Sequence, residues 1–332
     1  MDVYRTLARI VGQTLRSADR PMGAHMVVTR RCNLSCGYCN EYDDASPPVP
    51  FDKLAERISY LARLGTGMVS CTGGEPLLHP RIADIVRAIK DSGMTAAIIT
   101  NGYPLTRTRI EDLNKAKLDV LQISIDNLVP CETSSKSLSA VASRVSLLAE
   151  AALFEVNINS VLGRGIRSTD VAEIARWAKA HGFANSVGLM HASGGGLRPL
   201  SAQTEAAYRE IASSLPHRVN YWLFQRRLIQ GRPCRWKCRA GARFLYVDEH
   251  GCIHWCSQRR DTSGIPLHAY GVEHIRRAFR TKKACSPYCT LSCVHHASAL
   301  DGWRRQDLPD PSVAARPSAD PGSKLLPVLP SG

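Results

Sequence analysis

The sequence predicts an α/β fold: six parallel strands with crossover helices closing into part of a barrel, followed by a small cysteine-rich metal-binding module. Three observations carry this. Apolar, β-branched runs recur at 24–29, 68–71, 96–100, 120–125, 156–161 and 187–190, short enough and punctuated enough by Gly, Asn, Asp or Ser to be buried strands. Between them the apolar residues change to helical spacing, at Leu54, Ile58 and Leu61, at Ile82, Ile85, Val86 and Ile89, at Val141, Val145 and Leu148, and at Val171, Ile174, Trp177 and Ala178. From Arg232 onward the composition turns to Cys, Arg and His, with seven of the chain's twelve cysteines. Strand and helix in alternation mean right-handed βαβ units and a parallel sheet.

Taken in order, Met1 to Arg20 reads as an amphipathic helix with Val3, Leu7, Ile10, Val11 and Leu15 on one side, ended by Pro21-Met22-Gly23, so an N-terminal helix spans 1–23. It lacks the unbroken apolar core of a secretory signal, which points to a reducing cytosol and to metal rather than bridges as the use of the cysteines. The barrel follows over 24–195, and Ser193-Gly194-Gly195-Gly196 marks its boundary. A helical linker over 196–231, with a helix from about Ala202 to Leu215, leads to the module at 232–298. The tail, 307–332, is rich in Pro, Ser and Asp and is expected to be disordered. With 332 residues, 44% of them hydrophobic, the chain can bury a sizeable core. No apolar run approaches the ~18 residues of a membrane-spanning helix, so membrane insertion is not expected.

In such a barrel chemistry gathers at the carboxyl ends of the strands, where the loops converge. Every conspicuous polar group falls there. Arg31-Cys32-Asn33-Leu34-Ser35-Cys36-Gly37-Tyr38-Cys39-Asn40 follows the first strand, Thr72-Gly73-Gly74-Glu75-Pro76 ends the second, Thr100-Asn101-Gly102 the third and Ser124-Ile125-Asp126-Asn127 the fourth. Cys32, Cys36 and Cys39, at C-x3-C-x2-C spacing, can hold one iron-sulfur cluster and leave one iron without a protein ligand. An open position is where a metal site binds and reacts, whereas closed four-ligand sites are structural or carry electrons. A zinc site or buried structural thiols are the plainer alternatives.

The cysteine spacing, with the Gly73-Gly74-Glu75-Pro76 run behind it in the right order, resembles the signature of the radical S-adenosylmethionine (radical SAM) enzymes and their GGEP motif. The resemblance covers about residues 24–195 and implies a partial (β/α)6 TIM barrel. It also implies a 4Fe-4S cluster on Cys32, Cys36 and Cys39, with S-adenosylmethionine on the free iron, cleaved to a 5'-deoxyadenosyl radical that abstracts hydrogen from a substrate. Carried over to this chain, Gly73 and Gly74 let the backbone approach the cofactor's amino group, Glu75 helps hold it and Pro76 fixes the turn. Tyr38 packs near the adenine, Ser124 and Asp126 face the ribose hydroxyls and the carboxylate, and Asn159 and Val161 line the pocket. Read without the resemblance, Ser124 and Asp126 are equally turn or cap residues, and Asn101, in Asn-Gly, is a turn residue first and a ligand second. Cys71 and Cys131 have no partner spacing and read as ordinary thiols.

In the module, cysteines fall at Cys234, Cys238, Cys252, Cys256, Cys285, Cys289 and Cys293, and twelve residues separate Cys238 from Gly251, with four more between Gly251 and Cys256. The stretch Phe244 to Trp255 alternates around that glycine as a β-hairpin should. This is similar to the hairpin of the SPASM and twitch extensions that hold auxiliary iron-sulfur clusters in many radical SAM enzymes. The resemblance implies at least one auxiliary 4Fe-4S cluster, drawn by preference from Cys234, Cys238, Cys256 and Cys293, with Cys285 and Cys289 as alternative ligands or the basis of a second cluster. The later cysteines depart from the full SPASM pattern. A zinc site of Cys285, Cys289, Cys293 and His295 or His296 is the competing assignment, and Cys252, beside the turn, is the weakest ligand candidate.

Functionally the resemblance implies an oxidoreductase. Peptide or protein maturation comes first. A small-molecule dehydrogenase, acting on a sugar, cyclitol or cofactor precursor, is the alternative, favoured by the shortness of the segment before Met26. The electron donor implied is a cytosolic flavodoxin or ferredoxin. The net charge is +14, and Gln225 to Arg243 carries Arg226, Arg227, Arg232, Arg235, Lys237, Arg239 and Arg243 without one acidic residue. A solvated basic surface and a patch for an anionic partner are both open. No nucleic-acid-binding motif accompanies the charge, so tRNA modification ranks last.

Overall fold

The computed structural model describes residues 12, 15, 17–39, 41–163, 165–190, 200–211, 215–260 and 262–310. Most of the expected N-terminal helix, the Ser193 to Gly196 break and the tail beyond Asp310 lie outside them. Strands β1 (Gly23–Thr29), β2 (Met68–Gly73), β3 (Thr95–Thr100), β4 (Val120–Ser124), β5 (Glu155–Leu162) and β6 (Ala184–Leu189) alternate with helices α1 (Phe51–Arg63), α2 (Ile82–Asp91), α3 (Arg107–Lys115), α4 (Leu138–Ala151) and α5 (Ser168–Ala180). Neighbouring strands pair in parallel from β1 to β6. The result is the expected partial barrel, an open sheet rather than a closed one.

The period-two geometry of a strand sorts its side chains. Ala24, Met26 and Val28 of β1, Val69 and Cys71 of β2, and Val156 and Ile158 of β5 join the core beneath the helices, with Leu54, Ile58, Ile85 and Val145. The alternate residues face the other way and are more polar. On β5, Asn157, Asn159 and Val161 are only half-buried, and Ser186 Oγ accepts from Asn157 Nδ2 at 2.8 Å while donating to Asn159 Oδ1 at 2.9 Å. The inner face is therefore a hydrogen-bonding wall.

Helix α3 was not legible in the sequence. It buries only Ile110 and Leu113, too few apolar positions to show a period, and it starts because Thr106 Oγ1 accepts from Arg109 N at 3.2 Å.

After helices α6 (Ala202–Ile211) and α7 (Leu215–Asn220), a π turn (Tyr221–Gln225) and α8 (Arg226–Ile229) carry the chain to the hairpin of β7 (Phe244–Val247) and β8 (Cys252–His254), with β9 (Ile265–Pro266) beyond. The hairpin does not stand apart. β7 pairs in parallel with β1, His25 opposite Tyr246, so one sheet runs β6-β5-β4-β3-β2-β1-β7-β8-β9. Helices α9 (Val272–Arg280) and α10 (Ser292–Ala299) complete the module. Val294 and Ala297 of α10 pack on Val27, Phe244 and Tyr246, which sets the last helix against the inner face beside β1. Ordered packing continues past Ser298, since Asp301 is buried and Leu308 pairs with Thr281.

The basic stretch divides in two. Arg239 and Arg243 are fully buried. Arg239 donates to the carbonyls of Phe279, Asp301, Arg304 and Arg305, and Arg243 pairs with Asp301 at 2.6 Å. Burial brings the Arg239 guanidinium down to about 10. These two hold the module together and form no part of a surface patch. Asp301→Ala leaves the Arg243 charge buried without its carboxylate and is expected to cost about 3–5 kcal/mol, read as a lowered denaturation midpoint of the metal-free protein.

Candidate active site

The cysteine loop is anchored by backbone on three sides. Cys32 N donates to Asp43 O at 3.0 Å, Gly37 N to Thr133 O at 3.1 Å, and Glu75 N to Arg31 O at 2.9 Å. Gly74 N donates to Thr29 O at 2.9 Å. A Cβ on Gly74 would lie 2.2 Å from Arg30 O and 2.4 Å from Arg31 O, and one on Gly73, where φ is +130°, would lie 2.0 Å from Thr29 O. The two glycines are thus required first by the close approach of β2 to the root of the cysteine loop.

Glu75 is fully buried. Its Oε1 accepts from Leu77 N at 2.9 Å and Thr100 Oγ1 at 2.6 Å, and its Oε2 accepts from Asn101 N at 2.7 Å. Burial raises this carboxyl, opposed by the hydrogen bonds from Asn101, Thr100 and Leu77. The side chain clamps the end of β2 to the end of β3. Asn101 extends the clamp by donating from Nδ2 to Asn33 Oδ1 at 2.8 Å, with Cys32 Sγ 3.8 Å away, while its Oδ1 accepts from Tyr103 N as a turn residue does.

Opposite, the loop after β4 forms a second brace. Asp126 Oδ2 accepts from Tyr38 Oη and Ser134 Oγ, both at 2.8 Å, and Oδ1 accepts from Val161 N at 3.2 Å. Ser134 Oγ lies 3.8 Å from Cys36 Sγ. Lys136 Nζ donates to Tyr38 Oη at 2.9 Å and stands 5.1 Å from the ring centre. Burial alone would lower the Lys136 ammonium, but Tyr38, Asp126 and Cys36 hold it above the ordinary lysine range. Ser124 sits beside Asn159 in the register of β4 and β5, at the rim of the polar wall. Sequence reasoning missed Ser134, Lys136 and Glu41, the last a half-buried residue whose enclosed Oε1 has no hydrogen-bond partner among the described residues and whose charged neighbours include Lys136 and Arg260. No local pattern marks them, because long-range folding brings them to the loop.

Burial raises the Cys32 and Cys39 thiols, and each also feels another cysteine of the loop, Cys39 for the first and Cys36 for the second. Among the described residues no three Cys, His, Asp or Glu side chains converge on one ion-sized point. The loop brings Cys32, Cys36 and Cys39 together at the carboxyl end of β1.

In the module, Cys256 lies within electrostatic reach of Cys238, Cys285 and Cys293, and Cys289 within reach of Cys238, Cys256 and Cys285. Burial pushes Cys293 up to about 12. Cys234 borders this group, its N donating to Pro287 O at 2.8 Å between Cys285 and Cys289. It belongs to the second core with Tyr221 and Leu228, and its Sγ donates to Leu223 O at 3.3 Å. Cys252 sits by Asp248 and Arg57. The His295 ring stacks on Phe224 at 4.4 Å, and the zinc set with His295 or His296 is not drawn together among the described residues. Cys71 is buried in the core and pushed up to about 12 by that burial, and Cys131 is an exposed loop thiol.

A three-cysteine loop at the carboxyl end of β1, in an open parallel barrel with a second cysteine group beside it, defines a class of iron-sulfur enzyme. The family model of the Radical SAM superfamily matches residues 26–196, and the chain belongs to that superfamily. It is accordingly an iron-sulfur enzyme that uses a 4Fe-4S cluster and S-adenosylmethionine. Among curated relatives, the GTP 3',8-cyclase of Limosilactobacillus fermentum is 32% identical over 165 residues, 46% of this chain and 49% of that protein. Molybdenum cofactor biosynthesis protein 1 of Bos taurus is 34% identical over 44% of this chain and 25% of its own. The chain spans about half the length, or less, of these relatives. Among solved structures, SuiB of Streptococcus suis bound to S-adenosylmethionine superposes with a TM-score of 0.61 at 17% identity, covering 85% of this chain and 76% of that one, and SuiB is also known bound to its precursor peptide SuiA. That likeness is one of fold. No helix among the described residues is long and apolar enough to cross a membrane.

Proposed function

We propose that this chain oxidises a peptide or protein substrate by hydrogen abstraction, using a cluster on Cys32, Cys36 and Cys39 and an auxiliary cluster in the module. The observation that supports this is the packing of Cys238, Cys256 and Cys293 with Val27 of β1 and Val294 of α10, with Cys285 and Cys289 within electrostatic reach. The auxiliary ligands come from those five, with Cys234, whose Sγ donates to Leu223 O, as the alternative. The three-thiol loop and the Gly73 to Gly74 cradle fit a cluster with one free iron. When bound there, S-adenosylmethionine supplies the 5'-deoxyadenosyl radical.

This chain's own residues supply orientation. Lys136 is the half-buried cation on the rim and is assigned to the cofactor's carboxylate together with Ser124, while Asp126 acts by holding Tyr38 and Ser134. Asn159 and Val161 face the adenine side, and Gln122, Asn157 and Ser186 extend the polar wall toward the substrate. Lys136→Met removes a charge-assisted contact of about 1.5–3 kcal/mol, so affinity for S-adenosylmethionine falls roughly 10- to 100-fold. A titration followed by the electron paramagnetic resonance spectrum of the cluster measures it, and Lys136→Arg should recover part of the loss.

The peptide reading is supported by the likeness of fold to SuiB, which extends over 87% of this chain in the SuiA complex and so reaches beyond the barrel. The cyclase relatives, similar over less than half of this chain, favour the second reading, a small cofactor precursor. Iron and sulfide analysis tests the cluster number, with about eight iron per chain expected for two cubane clusters and about four for one. Perdeuterated peptides and perdeuterated nucleotides, offered separately under dithionite and S-adenosylmethionine, test the substrate. Deuterium in 5'-deoxyadenosine from the peptides supports the first reading, and from the nucleotides alone the second.

A further inference from the structure

The helical run from Leu215 to Ile229 has an outer face that none of this chemistry uses. Its inner face is tied to the cysteine module: Asn220 Nδ2 and Gln225 Nε2 both donate to Ser292 Oγ at 3.2 Å, one residue before Cys293. Phe224 stacks on His295, and Leu223 O receives the Cys234 thiol. The outer face presents Val219, Trp222 and Leu223, exposed by 43%, 61% and 52%. Around them Arg218, Arg226 and Arg227 are exposed, with the Arg226 guanidinium 4.9 Å from the Trp222 ring centre. Arg232 and Arg235 are exposed just beyond the helix. From Ile211 to Val247 the sequence contains no Asp or Glu.

Solubility explains exposed arginines but not an exposed tryptophan and leucine among them. Aromatic and arginine side chains together are the composition of a protein interface, and a rim of five exposed arginines, with Glu205 accepting from Tyr221 Oη at 3.2 Å as its neighbouring carboxylate, is net positive, selects an acidic partner and speeds its approach. The π turn in this run is a rare conformation that recurs at functional sites.

We propose that this face docks an acidic one-electron carrier protein, which exchanges electrons with the auxiliary centre across the thickness of one helix, about 10 Å. The inference rests on the reading that the module holds a cluster. In the proposed oxidation one electron enters to cleave S-adenosylmethionine to methionine and the radical. The substrate C–H bond then gives its hydrogen atom to that radical, forming 5'-deoxyadenosine, and the substrate radical loses a proton to solvent and an electron to the auxiliary centre. That centre is ready again only when the carrier has taken the electron, so one carrier molecule can return what another supplied.

The test uses the fully reconstituted chain and flavodoxin as the probe, with stopped-flow measurement of cluster oxidation and reduction. Reversing two charges, Arg226→Glu with Arg227→Glu, is expected to slow electron exchange with flavodoxin about tenfold or more, and Trp222→Ala to weaken docking. The wild-type rate should fall as salt rises, while dithionite reduction and dithionite-driven 5'-deoxyadenosine formation stay unchanged in every variant. Wild-type flavodoxin rates in these variants would overturn the proposal. So would sedimentation showing that the face joins two copies of the chain. An iron content of about four per chain would remove the auxiliary-cluster reading, and this proposal with it, and is read independently of the docking rates.

Discussion

Cys36→Ala will reduce 5'-deoxyadenosine formation to background and remove the iron of the first site, without unfolding the chain. Cys36 is the buried member of the loop, 3.8 Å from the Ser134 hydroxyl that Asp126 holds. It sits at the centre of the three, so its loss leaves two thiols too far apart in sequence and too loosely placed to retain a cubane cluster. Alanine in its place leaves the backbone bonds from Cys32 N and Gly37 N intact, so the circular dichroism of the metal-free variant should match the wild type. Anaerobic reconstitution should then return about four fewer iron per chain, with the auxiliary signal preserved. Activity retained above background would place the reacting site elsewhere.

Gly74→Ala is the second large effect, and it reaches the cysteines without touching them. The new methyl group would stand 2.2 Å from Arg30 O and 2.4 Å from Arg31 O, and neither is a flexible side-chain end that can move aside. Relieving the overlap means separating β2 from the loop root, breaking the bonds from Gly74 N and Glu75 N. Overpacking of this kind costs about 3 kcal/mol. The displaced loop should also take up the cluster poorly, so the variant should lose thermal stability and iron together. Gly302→Ala, whose Cβ meets nothing nearer than 3.9 Å, is the control and should change neither.

The sequence showed most of the barrel because its strands are apolar runs and its larger helices carry enough buried residues to display a period. It also showed where the chemistry lies, since every polar cluster ended a strand. What it did not show is long-range. The brace from Tyr38 to Lys136 joins residues 98 positions apart, and no spacing rule spans such a separation. The pairing of β7 with β1 was invisible for the same reason: a hairpin pattern reveals its own turn and not the strand beside it. Two arginines counted as surface charge proved to be the interior struts of the module, because a guanidinium satisfied by carbonyls looks no different in sequence from one in water. Glu75 illustrates a subtler gap. Its motif position was plain, but only the three-dimensional neighbours show a carboxylate engaged by Thr100, Leu77 and Asn101.

One free iron at the cysteine loop that accepts S-adenosylmethionine is the requirement on which the chemistry turns. The direct measurement is the electron paramagnetic resonance spectrum of the anaerobically reconstituted, dithionite-reduced protein before and after S-adenosylmethionine is added. Cys131→Ala serves as a background, because Cys131 is an exposed loop thiol. A shifted spectrum, followed by 5'-deoxyadenosine, is the predicted result. A fully assembled cluster whose spectrum is unchanged by the cofactor, with no nucleoside released, would contradict it.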